Sequence, residues 1–281
     1  MRIPIHPSRP SKDMVARFSS PLRRWLAALF LFGALVRPAA AVDWSDIWWV
    51  AAESGWGVNF INADNFIFAT FFVYGPGNTP IWYTGQMTDN GNGTWSGPLY
   101  LTTGTYFGNP WAGSPQPPQQ VGTVTFTPAS SVAGTLTYNV NAVNVTKQIR
   151  RQTLKTIPLG GYYSGALLSV FSNCNDSSQN GPVTAYLDFN VTQSPGSGTI
   201  KIDMIPAGST TASCTMSGGY TQEGLLYYVS NASYVCGNLS LVAQISQIKA
   251  TGQGFEGQWA ANVNAVSAGC VENGYWSAVL N

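Results

Sequence analysis

Short segments in which apolar and polar residues alternate cover most of the chain beyond residue 41. In segment 185–191, Ala, Leu, Phe and Val alternate with Tyr, Asp and Asn, and segment 200–204 repeats the pattern. A period of two residues is typical of an antiparallel strand that buries one face. Clusters of Gly, Asn, Asp and Pro separate these segments, and the sequence lacks sustained helical periodicity. The pattern therefore predicts an all-β protein.

The spacing of these segments predicts two domains. In the first half we predict strands at 57–62, 66–74, 81–88, 94–102, 121–127, 132–140 and 143–152, with 44–50 as a further strand or a short helical turn. In the second half we predict strands at 162–170, 183–193, 199–205, 211–217, 220–229, 233–236, 239–248, 254–263 and 274–280. Many short strands are typical of small barrels and sandwiches. We expect two antiparallel meander barrels or sandwiches, similar in general style to lipocalins or avidins, at 42–153 and 162–281, with a linker at 154–161.

The first 41 residues are organised like a secretory signal. Residues 1–24 carry six Arg or Lys and one acid, and an apolar run at 25–36 is followed by Arg-Pro and three alanines. A basic region, an apolar region and small residues in this order form the pattern of a signal peptide. The apolar run is shorter than the ~20 residues that a bilayer helix needs. We expect cleavage after Ala41 and an exported mature chain without a transmembrane segment.

The charge of the expected mature chain argues against several classes of function. Residues 42–281 contain six Lys or Arg against eleven Asp or Glu, so their net charge is −5. Six scattered cations cannot neutralise a row of phosphates, which argues against nucleic-acid binding. The only histidine is His6, inside the leader. Because histidine is the usual general base near neutral pH and a common metal ligand, we expect no metal, no cofactor and few hydrolase mechanisms.

Four cysteines, all in the second half, predict two disulfides. They are Cys174, Cys214, Cys236 and Cys270, and an even number in an exported chain indicates disulfide pairing. In a meander that closes on itself, the first and last strands are neighbours. This closure brings Cys174, after the first strand, to Cys270, before the last strand. Cys214 and Cys236 are then expected to pair across adjacent strands.

Aromatic residues are concentrated in the first half. Seven of the nine tryptophans in residues 42–281 lie there: Trp44, Trp48, Trp49, Trp56, Trp82, Trp95 and Trp111. Segment 66–74 is apolar on both faces, so its second face must meet another layer, the other domain, a ligand or a partner. Because Trp and Tyr present flat faces with a polar edge, they suit sugar rings and ligand pockets. We select Trp56, Trp82, Tyr83 and Trp111 as candidate ligand contacts, with packing in a crowded core as the alternative.

An enzyme without histidine would depend on paired carboxylates, as glycoside hydrolases do. The candidate pairs are Glu53 with Asp64 and Glu256 with Glu272. The last two strands of a meander are adjacent, which would allow the carboxylates of Glu256 and Glu272 to approach. Isolated acids in surface turns are the alternative. For Glu53 the alternative is a carboxylate that accepts backbone hydrogen bonds at the start of a strand.

Several motifs of the first half occur in a characteristic order. Residues 53–57 are Glu-Ser-Gly-Trp-Gly, an aromatic strand at 66–74 ends in Tyr, and a Gly-containing turn leads to Trp82 and Tyr83. Residues 97–104 are Gly-Pro-Leu-Tyr-Leu-Thr-Thr-Gly, and residues 149–152 are Ile-Arg-Arg-Gln. Over residues 44–153 the chain resembles an uncharacterised β module of exported proteobacterial proteins. The resemblance implies a bacterial, periplasmic or secreted setting, and it implies no activity.

Three functional hypotheses follow from the sequence. The first is an exported, non-enzymatic binding or envelope-interaction protein whose partner is a glycan, a small apolar molecule or an envelope protein. The second is a carboxylate-based glycan hydrolase, which a close carboxylate pair in an open cleft would favour. The third is a structural secreted protein without a small ligand. The tryptophan density, the two-sided apolar strand and the missing histidine favour the first hypothesis.

Overall fold

The molecule is all-β, as the alternation predicts. The computed structural model describes residues 42–113, 117–262 and 269–281. These residues form two closed antiparallel barrels, so of the two predicted architectures the barrel is confirmed. Helical structure in the described ranges consists of single 3-10 turns at Pro76–Asn78 and Ser177–Gln179. In the same ranges, the structure has no helix of the length and apolarity that a membrane crossing requires.

In the first barrel the strands follow sequence order, and the last strand pairs with the first. The strands are β1 (Asp46–Trp49), β2 (Gly57–Ala63), β3 (Phe66–Tyr74), β4 (Pro80–Asp89), β5 (Trp95–Leu101), β6 (Gln119–Pro128), β7 (Ala133–Val140) and β8 (Val143–Arg151). β1 lies where the sequence allowed either a strand or a helical turn. The pairing of Trp48 with Arg151 closes the barrel.

Aromatic side chains fill the interior of the first barrel. Along β3, Ile67 and Phe71 point inward and are fully buried, whereas the residues next to them point outward. The ring centroids of Phe60 and Phe126 lie 5.1 Å apart, and those of Trp48 and Phe126 lie 5.4 Å apart, both with edge-to-face geometry. Each such pair adds about 0.5–1.5 kcal/mol beyond the burial of its area. Part of the predicted tryptophan cluster is therefore core.

The second barrel uses the remaining strands. They are β9 (Gly161–Ser172), β10 (Gly181–Ser194), β11 (Thr199–Pro206), β12 (Cys214–Gly219), β13 (Thr221–Glu223), β14 (Leu226–Cys236), β15 (Leu239–Thr251), β16 (Gly254–Asn262) and β17 (Val271–Leu280). β9 pairs with β17, as a closed meander predicts, and β12 pairs with β14 to complete the ring. The short β13 forms a small hairpin with the start of β14.

One predicted strand boundary in the second barrel is wrong. The sequence suggested strands at 220–229 and 233–236, separated at 230–232. Instead the chain turns at Gly224, which has a φ of +61°, and β14 continues from Leu226 to Cys236. The register between β14 and β15 shifts twice between Tyr227 and Ala232, which indicates β-bulges. These bulges accommodate the polar residues that had indicated a break.

Two reciprocal tryptophan–glycine pairs join β16 to β17 inside the second barrel. Trp259 pairs with Gly274, and Gly257 pairs with Trp276. A Cβ atom on Gly274 would lie 1.8 Å from Cζ2 of Trp259, and one on Gly257 would lie 1.9 Å from Nε1 of Trp276. Only glycine leaves room for the ring on the opposite strand. The two indoles stack with their centroids 4.5 Å apart.

Both predicted disulfides form, and both lie at the same end of the second barrel. Cys174 in the β9–β10 connection bonds to Cys270, just before β17. Cys214 on β12 bonds to Cys236, its direct partner on β14. The pairing confirms the argument from closure, because β9 is the neighbour of β17.

A buried arginine joins the chain ends of the first barrel. Arg151 is 2 % exposed, and its guanidinium lies 4.8 Å from the ring centroid of Trp48. It forms an ion pair with Asp46, with Nη1 3.2 Å from Oδ2. It also donates to the carbonyl oxygens of Asp43, Ser45 and Ser131. Burial lowers the pKa of Arg151, and the carboxylates of Asp46 and Asp43 oppose this effect.

The β13–β14 turn of the second barrel contacts this arginine site. The backbone N–H of Leu225 donates to Oδ2 of Asp46 at 3.0 Å. A Cβ atom on Gly224 would lie 2.1 Å from the same oxygen, so the close approach requires glycine at this position. Two further ion pairs cross between the barrels, Arg150–Glu223 and Lys249–Asp43.

Candidate functional site

Most candidate residues lie at one end of the first barrel. Alternate connections of an up-and-down barrel lie at the same end, so the β1–β2, β3–β4, β5–β6 and β7–β8 connections are close together. The contacts with the second barrel involve the start of β1, the end of β8 and Ser131 in the β6–β7 connection. They lie at the opposite end. The end with the four connections, which we call the loop end, therefore points away from the second barrel.

The Glu-Ser-Gly-Trp-Gly motif builds a polar cluster at the loop end. Nζ of Lys147 on β8 lies 2.5 Å from Oε2 of Glu53 and 5.8 Å from the ring centroid of Trp56. Nε1 of Trp56 donates to the hydroxyl of Tyr138 at 3.2 Å. Burial raises the pKa of Tyr138, against the effect of this hydrogen bond, so its hydroxyl stays protonated at neutral pH. Glu53 has a lysine partner rather than the predicted backbone donors.

The first glycine of the motif has a geometric role. Gly55 has a φ of +96°, which favours glycine, and a Cβ atom there would lie 3.2 Å from Cε2 of Tyr74. The ring of Tyr74, at the end of β3, therefore packs over the turn that carries Trp56. The motif holds the β1–β2 turn against β3 and β8, and it fixes the shape of the loop end.

The two neighbouring candidates on β4 point to opposite faces. Trp82 points outward and is 60 % exposed, whereas Tyr83 points inward and is half-buried. Phe72 is the direct partner of Trp82 on β3, and their ring centroids lie 5.6 Å apart. Phe72 and Tyr74 are also exposed, so packing within the described residues covers the second apolar face of β3 only in part. These two residues were missed as individual candidates, although the two-sided strand was the signal for them.

A cleft of about 420 Å³ lies beside Trp82, and every residue that lines it is uncharged. The threonines Thr70, Thr84 and Thr102 are among the residues that line it. Aromatic and aliphatic side chains form the remainder of the wall. The cleft thus combines an apolar stacking surface with neutral hydrogen-bonding groups.

The β5–β6 connection begins at the edge of this cleft and presents further aromatic rings. Phe107 is 93 % exposed and Trp111 is 74 % exposed. The rings of Tyr106 and Phe107 are 4.7 Å apart, and the hydroxyl of Thr105 donates to the carbonyl of Gly113 at 2.8 Å. Tyr106 and Phe107 were not candidates in the sequence analysis. We define the aromatic surface as the exposed rings of Phe72, Tyr74, Trp82, Tyr106, Phe107 and Trp111.

The structure does not assemble either candidate carboxylate pair. Glu53 is engaged by Lys147, and Asp64 lies in the exposed β2–β3 turn, at the other end of β2. Although β16 and β17 are adjacent, Glu256 points outward and Glu272 points inward. The register also separates them along the strands, because Glu256 pairs with Ser277. The expected approach of the two carboxylates does not occur.

Glu272 is part of a buried polar network in the second barrel. It is 4 % exposed, and its Oε1 accepts a hydrogen bond of 2.6 Å from the hydroxyl of Ser169. Tyr234 forms a second hydrogen bond to the same carboxyl group. Burial raises the pKa of Glu272, and the two hydrogen bonds oppose this shift only in part. The network links β9, β14 and β17 across the barrel interior.

Comparisons with known proteins do not assign this chain to a family. Neither a family model nor a curated protein matches it.

Proposed function

We propose that this protein is exported and binds neutral glycans through the aromatic surface, without transforming them. The observation that carries the proposal is the set of exposed rings on and beside β3 and β4, next to a cleft with uncharged walls. Phe72 and Trp82 contact each other on paired strands and form an exposed apolar patch, and such patches indicate a binding surface. Flat apolar rings suit the C–H faces of sugars, and the threonine hydroxyls suit the sugar hydroxyls.

The part of the aromatic surface that lies on strands supports recognition of a defined ligand. Phe72 and Trp82 lie on paired strands, and the Glu53–Lys147 ion pair holds the neighbouring turn. Binding groups on strands lose less conformational freedom on binding than groups on mobile segments.

Several observations support an exported protein in a bacterial periplasmic or secreted setting. The leader has the organisation of a signal peptide, and two disulfides are typical of an oxidising compartment. The resemblance to the exported proteobacterial module points to the same setting.

The positions of the four candidate acids do not support the hypothesis of a glycan hydrolase. Cleavage of a glycosidic bond requires two carboxyl groups on opposite sides of the bond, about 5–10 Å apart. Of the four candidates, Glu53 is bound to Lys147, Asp64 lies in a turn, and Glu256 and Glu272 are on opposite faces. We therefore favour binding over hydrolysis.

Calorimetric titration of residues 42–281 with soluble neutral oligosaccharides tests the proposal. We expect saturable binding that Trp82→Ala weakens by about two- to twelvefold, because stacking on an aromatic ring contributes about 0.5–1.5 kcal/mol. Tyr186→Ala removes another exposed aromatic ring, on the second barrel; it is the control and should bind glycans like the wild type. Equal affinity of the Trp82 variant and the wild type would refute the assignment.

A further inference from the structure

A shallow groove of about 580 Å³ crosses the outer face of the second barrel, over β10, β9 and β17. Its floor consists of small outward residues, Ser164 and Ala166 on β9 and Ser277 on β17. Tyr186 and Val279 border it, and both side chains are largely exposed. A depression of this volume is in the size range of small-molecule sites. It lies on the other barrel from the aromatic surface.

Asp188 places a carboxylate in this groove. Its two oxygens accept hydrogen bonds from the hydroxyl of Ser164 at 2.6 Å and from the hydroxyl of Tyr162 at 3.1 Å. Both donors are neutral, so they orient the carboxylate without compensating its charge. Each oxygen retains a lone pair for a further donor.

The hydrogen-bond donors of Asp188 are neutral hydroxyl groups, whereas two other acids of the chain have a cationic partner. Asp203, on the adjacent strand β11, pairs with Lys201 at 2.7 Å, and Asp46 pairs with Arg151. The groove residues other than Asp188 are uncharged.

The surroundings of the groove add a further negative charge. Glu256 is exposed and pairs in register with Ser277 of the floor, so it borders the groove on the side away from Asp188. Lys249 is the register partner of Glu256 on β15, but its ammonium group lies 2.7 Å from Asp43. The groove thus has one carboxylate in its lining and a second beside it, a charge distribution that matches a cationic ligand.

We propose that this groove binds a small organic cation. The ammonium group lies between the carboxylate of Asp188 and the ring of Tyr186, and the apolar part of the ligand covers Ala166 and Ser277. A carboxylate and an aromatic face together are the groups that recognise organic ammonium ions. Small residues in the floor leave the space that methyl or methylene groups would fill.

Choline and its neutral isostere 3,3-dimethyl-1-butanol are the probes that test this site. Both compounds are titrated into isotopically labelled residues 42–281 while backbone amide resonances are followed. We expect choline, in the millimolar range, to shift the amides of Ala166, Tyr186 and Ser277 saturably, and the isostere to have little effect. Asp188→Asn should weaken choline binding by about fivefold or more, since it removes the charge and keeps the shape.

Asp203→Asn is the matched control, because it removes an outward acid from the neighbouring strand, and it should leave choline binding unchanged. Tyr186→Leu removes the aromatic face at an exposed position and should weaken binding without affecting the fold. Equal binding of choline and its isostere, no shifts with choline, or an unchanged Asp188→Asn variant would each overturn the proposal. Shifts of the same amides by neutral sugars would overturn it too. The outcomes with choline and its isostere do not bear on glycan binding at the first barrel.

Discussion

At the scale of single residues, Glu272 and Arg151 are two buried ionisable groups with different surroundings. Glu272 has hydroxyl partners, Ser169 and Tyr234, and burial raises the pKa of its carboxyl group. Arg151 has a carboxylate partner, Asp46, and three carbonyl acceptors. Burial thus favours the neutral form of both groups, and for Arg151 the carboxylates of Asp46 and Asp43 oppose this effect.

The raised pKa of Glu272 predicts a pH-dependent stability. Below the ordinary pKa of a glutamate, both the folded and the unfolded state are protonated and the site carries no penalty. As the pH rises through the unfolded and then the folded pKa, the unfolded state ionises more readily, so the protein loses stability. Glu272→Gln should remove this loss. Urea unfolding at several pH values should show the variant gaining stability over the wild type as the pH rises.

The exposed Glu256, changed to Gln, is the control for this series, and it should follow the pH profile of the wild type. A difference between Glu272→Gln and the wild type that stays constant with pH would contradict the assigned direction of the shift.

The buried position of Arg151 predicts a large cost of its removal. Arg151→Met would leave the carboxylate of Asp46 buried without its counter-ion, which costs about 3–5 kcal/mol in comparable sites. Arg150→Met removes the neighbouring arginine, whose side chain is exposed and paired with Glu223. The cost there should be about 0–1 kcal/mol. Equilibrium unfolding in urea measures both values, and similar costs for the two variants would contradict the role of Arg151.

At the scale of the elements, local pattern and register explain different parts of the structure. An apolar run between turn residues located β3 at its observed bounds, and the assumption of a closed meander placed the last strand of the second barrel beside its first. Neither argument located the turn at Gly224, because polar residues at 230 and 231 indicated a break, whereas a bulge keeps them within β14. The reciprocal pairs of β16 and β17 were also missed. The repeated Gly-x-Trp spacing, in residues 257–259 and 274–276, was a usable signal for them.

These tryptophan–glycine pairs predict a steric effect in β17. Gly274→Ala would place a Cβ atom against the ring of Trp259 and should destabilise the protein by about 1–3 kcal/mol, as overpacking does. Gly252→Ala adds the same atom in a β15–β16 turn with open space around it, so its effect should be small. Thermal unfolding followed by tryptophan fluorescence measures both. Equal stability of the two variants would show that the indole stack tolerates the methyl group.

At the scale of the whole molecule, the two barrels contact each other next to Arg151, at the end opposite to the loop end. The disulfides and the loop end of the first barrel lie away from that contact. The sequence was sufficient for the all-β class and, on the assumption of a closed meander, for the disulfide pairing, but it left barrels and sandwiches as alternatives. The sequence was insufficient for the candidate site. It shows which residues share a face of a strand, but it does not show which of the two faces is buried. In the structure Trp56 is half-buried, Tyr83 points inward, and Phe72 is exposed.

The positions of the disulfides predict unequal contributions to stability. Cys174 and Cys270 are 96 residues apart in sequence, and Cys214 and Cys236 are 22 residues apart. If the bonds act mainly by restricting the unfolded chain, the longer loop contributes about 5 kcal/mol and the shorter one about 3 kcal/mol. Double Cys→Ala variants should rank in this order in urea unfolding. The reverse order would mean that the folded state dominates the difference.

The central claim is that the aromatic surface of the first barrel binds a neutral glycan. The most direct measurement follows the indole N–H resonances of labelled residues 42–281 while neutral oligosaccharides are added. We predict that the resonances of Trp82 and Trp111 shift saturably, and that those of Trp259 and Trp276, buried in the second barrel, stay unchanged. Resonances of Trp82 and Trp111 that do not respond to any neutral glycan would contradict the claim.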